Sequence, residues 1–447
     1  MGLSSPTNFY SGRLTSSSAI VNIGLFKKFD IGLSSPFKLA WGGEMRIENF
    51  SIKHGDEASY IDGQAKILDG PNKGKKAPSG AQGFPGFRPE DEKNKSRTNK
   101  SLYLDLEQTF MKKLLVGLAG RYETYSDFGS TINGKASFRY EPIQNLFLRA
   151  SAGTGFRAPS LAQSYYSYSQ SSFISGTPYS LGIFPVDHPV SRALGAENLK
   201  PESSININIG IAGQIKKKIF ISLDYFKIDI KNRITLTPNL TPDLLPNFKY
   251  VFDTLNIEGS RYFFNGMNTS TQGVDFNLNS NFDFRKRGIL SFLVSATFSE
   301  TKIIGDVKLP GVLSDYSDAV FDRDYINRIT KVQPGSNLMA QVNYKIRRFD
   351  FLVRANKYGK ITFIHKSSDP QYDQTYASKV MLDAEFSYKL TSKINLSIGG
   401  HNILNTYPDK SYELPGDYLS GKIRTYNWYS PFGFQGASYY GKIVLLL

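Results

Sequence analysis

The chain has 447 residues with 54 Lys and Arg against 39 Asp and Glu, a formal charge of +15, no Cys, 39 Gly, 27 Tyr and 32 Phe. The missing Cys rules out a disulfide framework and a zinc–thiolate site, and His54, His188, His365 and His401 stand too far apart for a metal-ligand spacing. No apolar run approaches the roughly 18 residues of a membrane helix; the basic residues are spread along the chain, and their main cluster, KGKKAPSG, lies in a Gly/Pro loop without a nucleic-acid module.

Alternation of apolar and polar residues with period two predicts strands. In chain order they are expected near 18–29, 37–50, 100–111, 115–125, 132–141 and 146–156, then 203–215, 219–232, 271–283, 289–302, 337–346, 350–360, 378–390, 394–404 and 436–447. In SLYLDLEQ, Leu102, Leu104 and Leu106 oppose Tyr103, Asp105 and Glu107. The 146–156 segment runs into Gly153, Gly155 and Ala158, the G-x-G-x-x-A outline of a dinucleotide-binding turn. That outline needs a buried parallel strand before it and a helix after it. Arg149 in mid-strand and Pro159 followed by a Ser/Tyr/Gln tract supply neither, so the segment is predicted to be a strand ending in an aromatic loop. In SININIGI, Ile205, Ile207, Ile209 and Ile211 oppose Asn206, Asn208 and Gly210. In VMLDAEFSYKL, Leu382, Ala384, Phe386, Tyr388 and Leu390 oppose Asp383, Glu385, Ser387 and Lys389.

Connections between these segments alternate in kind. Short, often basic ones lie near Lys112, Pro142, Lys217, Arg287, Arg348 and Lys393. Long Gly-, Pro-, Ser- and Tyr-rich ones cover 54–99, 159–202, 237–268, 305–334 and 408–429, with 126–131 a brief exception. Short turns at one end and long loops at the other are the pattern of an outer-membrane barrel, whose strands cross the bilayer in about 9–11 tilted residues. The fold class is therefore all-β, an antiparallel transmembrane β-barrel forming one domain over 1–447. Charge on the lipid face is costly, so Arg139, Arg149, Arg354 and Lys389 are expected to point into the lumen. The final SYYGKIVLLL places Tyr439, Gly441, Ile443, Leu445 and Leu447 on one face.

The segments YETYSDFGSTINGKASFRYEP (122–142), LRASAGTGFRAPSLAQSYYS (148–167), LGAENLKPESSININIGI (194–211), DYFKIDIKNRITLT (224–237), GGHNILNTYP (399–408) and YSPFGFQGASYYGKI (429–443) occur together in this order. In them the chain resembles the barrel portion of a TonB-dependent outer-membrane receptor. The resemblance implies a barrel of about 22 strands with an N-terminal plug in its lumen, and a non-enzymatic importer of a bulky nutrient such as an iron-siderophore, cobalamin or glycan. It further implies a Gram-negative outer membrane as location, outer-membrane lipid, the TonB energy-transducing complex and the barrel assembly machinery as partners, and energy from the proton gradient. Two departures stand out. About fifteen strands is odd and short of the family's number, so the chain is expected to be a C-terminal fragment lacking the plug, or a gene begun at an internal Met. Leu447 replaces the terminal aromatic residue of the assembly signal.

In the loop after 157, Tyr165, Tyr166, Tyr168, Phe173 and Tyr179 are candidates to stack on a ligand, and equally to pack the loop on its neighbours. Arg157 is suited to an anionic ligand or to a strand carboxylate such as Glu123. Asp322 and Asp324 in VFDRDY are read as a solvated loop, since two carboxylates fall short of the roughly six oxygens of a Ca²⁺ site. Trp41 and Trp428 are read as interface anchors. No G-x-S-x-G elbow or other catalytic constellation occurs, so no enzyme, cofactor or metal is expected. A passive porin is the alternative that shares the alternation and the unequal connections.

Overall fold

A computed structural model describes residues 5–446 except 62, 71–72, 76, 78, 82–83, 175–176, 256, 366–368 and 415–419; the side chains of 169–180 and 318–319 lie outside the description as well. Fifteen strands form one sheet: β1 (Arg13–Phe29), β2 (Phe37–Lys53), β3 (Lys93–Phe110), β4 (Leu114–Tyr125), β5 (Gly129–Tyr140), β6 (Leu146–Arg157), β7 (Glu202–Ile215), β8 (Ile219–Leu236), β9 (Phe263–Asp283), β10 (Ile289–Ile304), β11 (Ser336–Ile346), β12 (Phe349–Tyr358), β13 (Lys379–Lys389), β14 (Ile394–His401) and β15 (Ser438–Leu445). Each pairs antiparallel with its neighbour in sequence, and β1 and β15 are the two edges of an open sheet. Every strand expected from alternation is present, and none of the described helices is long and apolar enough to cross a membrane.

Side-chain direction follows the register. Leu102 sits opposite both Gly43 and Tyr122, and Tyr122 opposite Ile132, so one apolar face continues from β2 to β5. Ile205, Ile207, Ile209 and Ile211 remain 38–57 % exposed along β7. In a soluble protein such a row would be a defect; against lipid it is the favourable surface. The other face is polar: Arg149 lies opposite Arg139 and Gly210, and Arg354 opposite Gln341 and Asp383. Lys389 shares the face of Ser387, which is bonded to Ser397 at 2.8 Å. The charged residues thus stand where the lipid argument puts them. Ile209→Arg is expected to cost about 2–4 kcal/mol near mid-strand, measured by unfolding in lipid vesicles, whereas Asn208→Arg on the polar face should cost well under half of that.

Several strands run outward beyond their apolar alternation. β3 begins at Lys93 instead of near 100, and β9 at Phe263 instead of near 271. Their outer parts, KNKSRTN and FFNGMNTS, lack a lipid-facing apolar row yet stay in register with β2 and β8. A bulge between Ile230 and Ile234 breaks the β8–β9 register and puts Asn232 at φ 56°. Asn tolerates this left-handed conformation, and the extra residue bends the pair where it leaves the alternating region. Asn265 clamps the bend: its amide donates to the carbonyls of Lys200 at 2.8 Å and Asn232 at 2.7 Å.

The short connections are tight turns, and the long ones carry structure. Residues 158–201 contain a helix (Leu161–Tyr165), a hairpin (Tyr168–Ile174 with Thr177–Ile183) and a second short helix (Pro189–Ala193). Gly259–Arg261, from the connection after β8, adds a parallel strand to that hairpin. VFDRDY is not a solvated loop: Asp322 caps a helix, Arg323–Thr330, by accepting from the Tyr325 amide at 2.8 Å, and Asp324 pairs with Arg328 one turn on. A sixth long connection, absent from the sequence reading, spans 359–378 and holds the hairpin Ile361–Phe363 with Gln374–Tyr376.

Candidate functional site: the polar wall and its outer vestibule

Many of the charges on the polar face are paired. On β2 to β4, the Glu44 carboxylate accepts from Arg46 at 3.0 Å and Asn22 at 3.2 Å and lies 3.4 Å from Arg121. Arg121 also donates to Glu123 at 2.5 Å, and Glu123 accepts from the Tyr125 hydroxyl at 2.9 Å. Further round the sheet Arg149 pairs side-on with Asp224, its Nε donating at 2.7 Å. Gly210 lies directly beneath this pair. A Cβ there would stand 1.9 Å from the Asp224 carboxylate, so only glycine leaves room for the pair. On β13 to β15, Glu385 accepts from the Tyr440 hydroxyl at 2.7 Å and the Lys442 ammonium at 2.9 Å. A wall of this kind is water-compatible, which suits passage or packing of a polar body.

At the outer end, Arg97 joins three parts of the chain. Only 5 % exposed, it grips Glu48 with two nitrogens at 2.6 and 2.9 Å, donates to the Pro159 carbonyl at 2.6 Å and reaches Asp127 at 3.5 Å. Its guanidinium also lies over the Tyr125 ring, 5.4 Å from the centroid. The fork geometry of guanidinium is what allows one side chain to hold a strand, a turn and a loop at once.

Beside it the loop tyrosines meet the connection between β2 and β3. Tyr168, 4 % exposed, stacks on Phe84 at 5.0 Å and meets Phe87 edge-on at 5.5 Å. Tyr166 meets Phe87 at 6.2 Å, and the Lys95 ammonium lies 5.0 Å from the Tyr165 ring. Phe50, Ile52 and Leu161 complete this cluster. Burial pushes the Tyr168 phenol up to about 12, helped by Tyr166 and Asp91, and raises Tyr165 and Tyr166 in the same direction. Burial also raises the Asp91 carboxyl, against the hydrogen bond it accepts from Ser167. The phenols therefore stay protonated at neutral pH; Tyr168 lays its ring face on Phe84, and only the half-buried Tyr165 and Tyr166 keep surface to offer.

Of the residues singled out in the sequence, the structure thus brings Tyr165, Tyr166 and Tyr168 together. Phe173 and Tyr179 lie on the hairpin, and their side chains fall outside the described residues. Arg157 pairs with Glu202 at 3.3 Å, not with Glu123, because β6 neighbours β7 in this register and Glu123 is held by Arg121. Glu202 also accepts from the Ile234 amide at 2.8 Å, while the Arg157 side chain remains 59 % exposed. Trp428 stands 68 % exposed in the last long connection with Arg424 over its ring at 3.6 Å, and Trp41 lies within β2.

Sequence reasoning missed the largest buried cluster among the described residues. Phe184, Val190, Leu194, Leu240, Leu245, Val251, Phe252, Tyr262, Phe264, Leu313, Val320 and Phe321 come from three long connections and β9, and they pack into one core above the sheet. The Tyr262 hydroxyl donates to the Leu194 carbonyl at 2.7 Å inside it. Beside it a cleft of about 230 Å³ is lined by Glu197, Asn198, Lys200, Asn232, Asn265 and Lys308 together with Phe264, Leu309 and Pro310. The outer loops are therefore a packed vestibule with a cleft of mixed lining beside its core. The only signal in the sequence was the apolar content of segments such as 240–252, which have no period.

A family model described as TonB dependent receptor-like, beta-barrel matches residues 4–403. The fold is similar to that of the siderophore receptor PirA from Acinetobacter baumannii, at 17 % identity and a TM-score of 0.60, over 97 % of this chain and 55 % of that one. It is similar as well to the ferric enterobactin receptor PfeA from Pseudomonas aeruginosa, at 13 % and 0.62 over 97 % and 54 %. A third similarity is to the ferripyoverdine receptor of the outer membrane of Pseudomonas aeruginosa, at 15 % and 0.56 over 89 % and 46 %. The chain spans about half the length of these receptors, and no curated protein matches it in sequence. The matched span, the antiparallel order of the strands and the two-faced wall agree: this chain belongs to the TonB-dependent receptor β-barrel family, a family of transporters and receptors, not enzymes.

Proposed function

We propose that the chain is the wall and outer vestibule of an outer-membrane receptor that binds a bulky nutrient at its long loops and imports it at the expense of the proton gradient. The observation that carries this reading is the family match over residues 4–403, laid on a sheet whose polar face runs beneath packed outer loops. A ferric siderophore is the favoured cargo class, because the solved receptors with this fold include ones named for ferric enterobactin and ferripyoverdine; cobalamin and glycans are the other candidates. Tyr165, Tyr166, Phe173, Tyr179 and the exposed guanidinium of Arg157 are proposed contacts, while Tyr168, buried on Phe84 and Phe87, is proposed to hold the loop in place. In lipid, the free backbone groups of β1 and β15 need partners, so further strands of the same receptor are proposed to pair with these edges, around a plug through which a TonB-type complex would pull.

The test is uptake of a labelled ferric siderophore by cells carrying the receptor, with and without a protonophore. Uptake is expected to fall to background when the gradient collapses while binding at the surface persists. Uptake that continues unchanged would make the protein a passive channel.

A further inference from the structure

Charge is divided unequally between the two ends of the sheet. Seven connections lie at the short-turn end, 30–36, 111–113, 141–145, 216–218, 284–288, 347–348 and 390–393; four of them carry the stretches MKK (111–113), KKK (216–218), RKR (285–287) and RR (347–348), and Asp30 and Glu141 are the only carboxylates in the seven. The long connections hold more Asp and Glu than Lys and Arg, so the net positive charge does not come from them. The basic side chains of these four stretches are exposed, and none pairs with a carboxylate among the described residues.

Two further observations say what this rim meets. First, the backbone does not favour these residues. Met111 and Lys112 sit at φ 50° and 58°, Lys216 and Lys217 at 48° and 56°, Arg285 at 57° and Arg347 at 52°. Successive left-handed residues in a tight hairpin turn are the place for Asn-Gly, and an L side chain is strained there. Lys and Arg are kept in spite of the turn, so their charge serves something outside it. Second, each basic stretch adjoins exposed apolar surface: Met111 is 79 % exposed, Ile215 51 %, Phe284 51 % and Phe349 41 %. A partner that satisfies both is anionic at one end and apolar at the other.

We propose that the short-turn end is a docking rim for anionic phospholipid headgroups of the adjoining leaflet. Barrels of this type present short turns to the periplasm, so the rim lies at the headgroups of the inner leaflet of the outer membrane. Arg forks and Lys ammonium groups bind phosphate oxygens, while the neighbouring Met, Ile and Phe meet the acyl chains. The assignment takes its sidedness from the family alone and stands whatever the cargo is.

The test measures lipid retained by the whole receptor, purified from its native membranes in mild detergent, as the ratio of phosphatidylglycerol to phosphatidylethanolamine by mass spectrometry. The ratio is expected to exceed that of the membrane and to drop toward it after a high-salt wash. The variant Lys216→Asn/Lys217→Gly/Lys218→Ser gives that turn a better backbone while removing three charges. It should fold at least as well, judged by heat-modifiable gel mobility, and lose roughly fivefold or more of the enrichment, as expected for surface charges facing anionic lipid. Wild-type lipid at the bulk ratio, or an enrichment unchanged in the well-folded variant, would overturn the proposal. So would loss of a co-purifying acidic protein in place of lipid, which would assign the rim to a macromolecular partner.

Discussion

Phe252→Ala and Tyr262→Ala are each expected to destabilise the packed outer loops by about 3–5 kcal/mol, the usual cost of removing a large aromatic side chain from a closed core. Phe252 is 1 % and Tyr262 0 % exposed, and both lie among apolar side chains contributed by separate connections. The loss should be confined to the loops. Hydrogen exchange is the measurement: amides of 184–196, 237–262 and 307–332 should open together, whereas strand amides such as those of β7 and β12 keep their protection. Tyr262→Phe keeps the packing and orphans only the Leu194 carbonyl, so its cost should be about 1–3 kcal/mol. If Tyr262→Ala left loop exchange unchanged, these connections would be independent loops and the vestibule would have no common core.

Arg97→Ala carries the second large expectation. One guanidinium neutralises Glu48, approaches Asp127 and satisfies the Pro159 carbonyl, so its removal leaves a charge and a carbonyl without partners in a crowded mouth. Breaking a fully buried pair costs about 3–5 kcal/mol; here Arg97 is buried but Glu48 keeps 28 % of its side chain exposed, so a loss of about 2–3 kcal/mol is expected. Arg97→Lys should recover little, because a single ammonium cannot reproduce a bidentate grip and a third bond in one plane. The outcome can be read by limited proteolysis of the 158–168 segment, which should become cleavable in both variants. Double substitution Arg97→Ala/Glu48→Ala tests the coupling: it should cost less than the sum of the two single changes, since neither charge is then left alone.

The sequence was legible wherever the bilayer imposes a rule on it. Ile205 to Ile211 and Leu102 to Leu106 alternate because lipid excludes charge from one face and water wets the other, and this places the strands and predicts that Arg139, Arg149 and Arg354 line the polar side. Where strands leave the bilayer the rule lapses. Lys93 to Asn99 and Phe263 to Ser270 lack the apolar row, and only pairing with β2 and β8 shows them to be strands. The glycines of the GTGFRA stretch belong to the antiparallel strand β6; a Cβ on Gly155 would meet the Ser204 hydroxyl at 2.9 Å. They permit a close strand contact, not a phosphate cradle.

The candidate site was legible only as a list of residue types. Aromatic richness in 159–202 was plain, but the partners of Tyr168 are Phe84 and Phe87, some eighty residues earlier, and nothing local announces them. Arg157 illustrates the same point: which carboxylate it meets depends on which strand neighbours β6, and a chain with β7 elsewhere would pair it differently. Length, absence of Cys, alternation and the unequal connections therefore determined the class of fold, the number of strands and the face each side chain takes, because a period of two acting against a two-phase environment is a local property. The Arg97 hub, the common core of three loops and the cleft beside it were decided by tertiary structure alone, because they join residues that become neighbours only when the sheet has set the register of its strands.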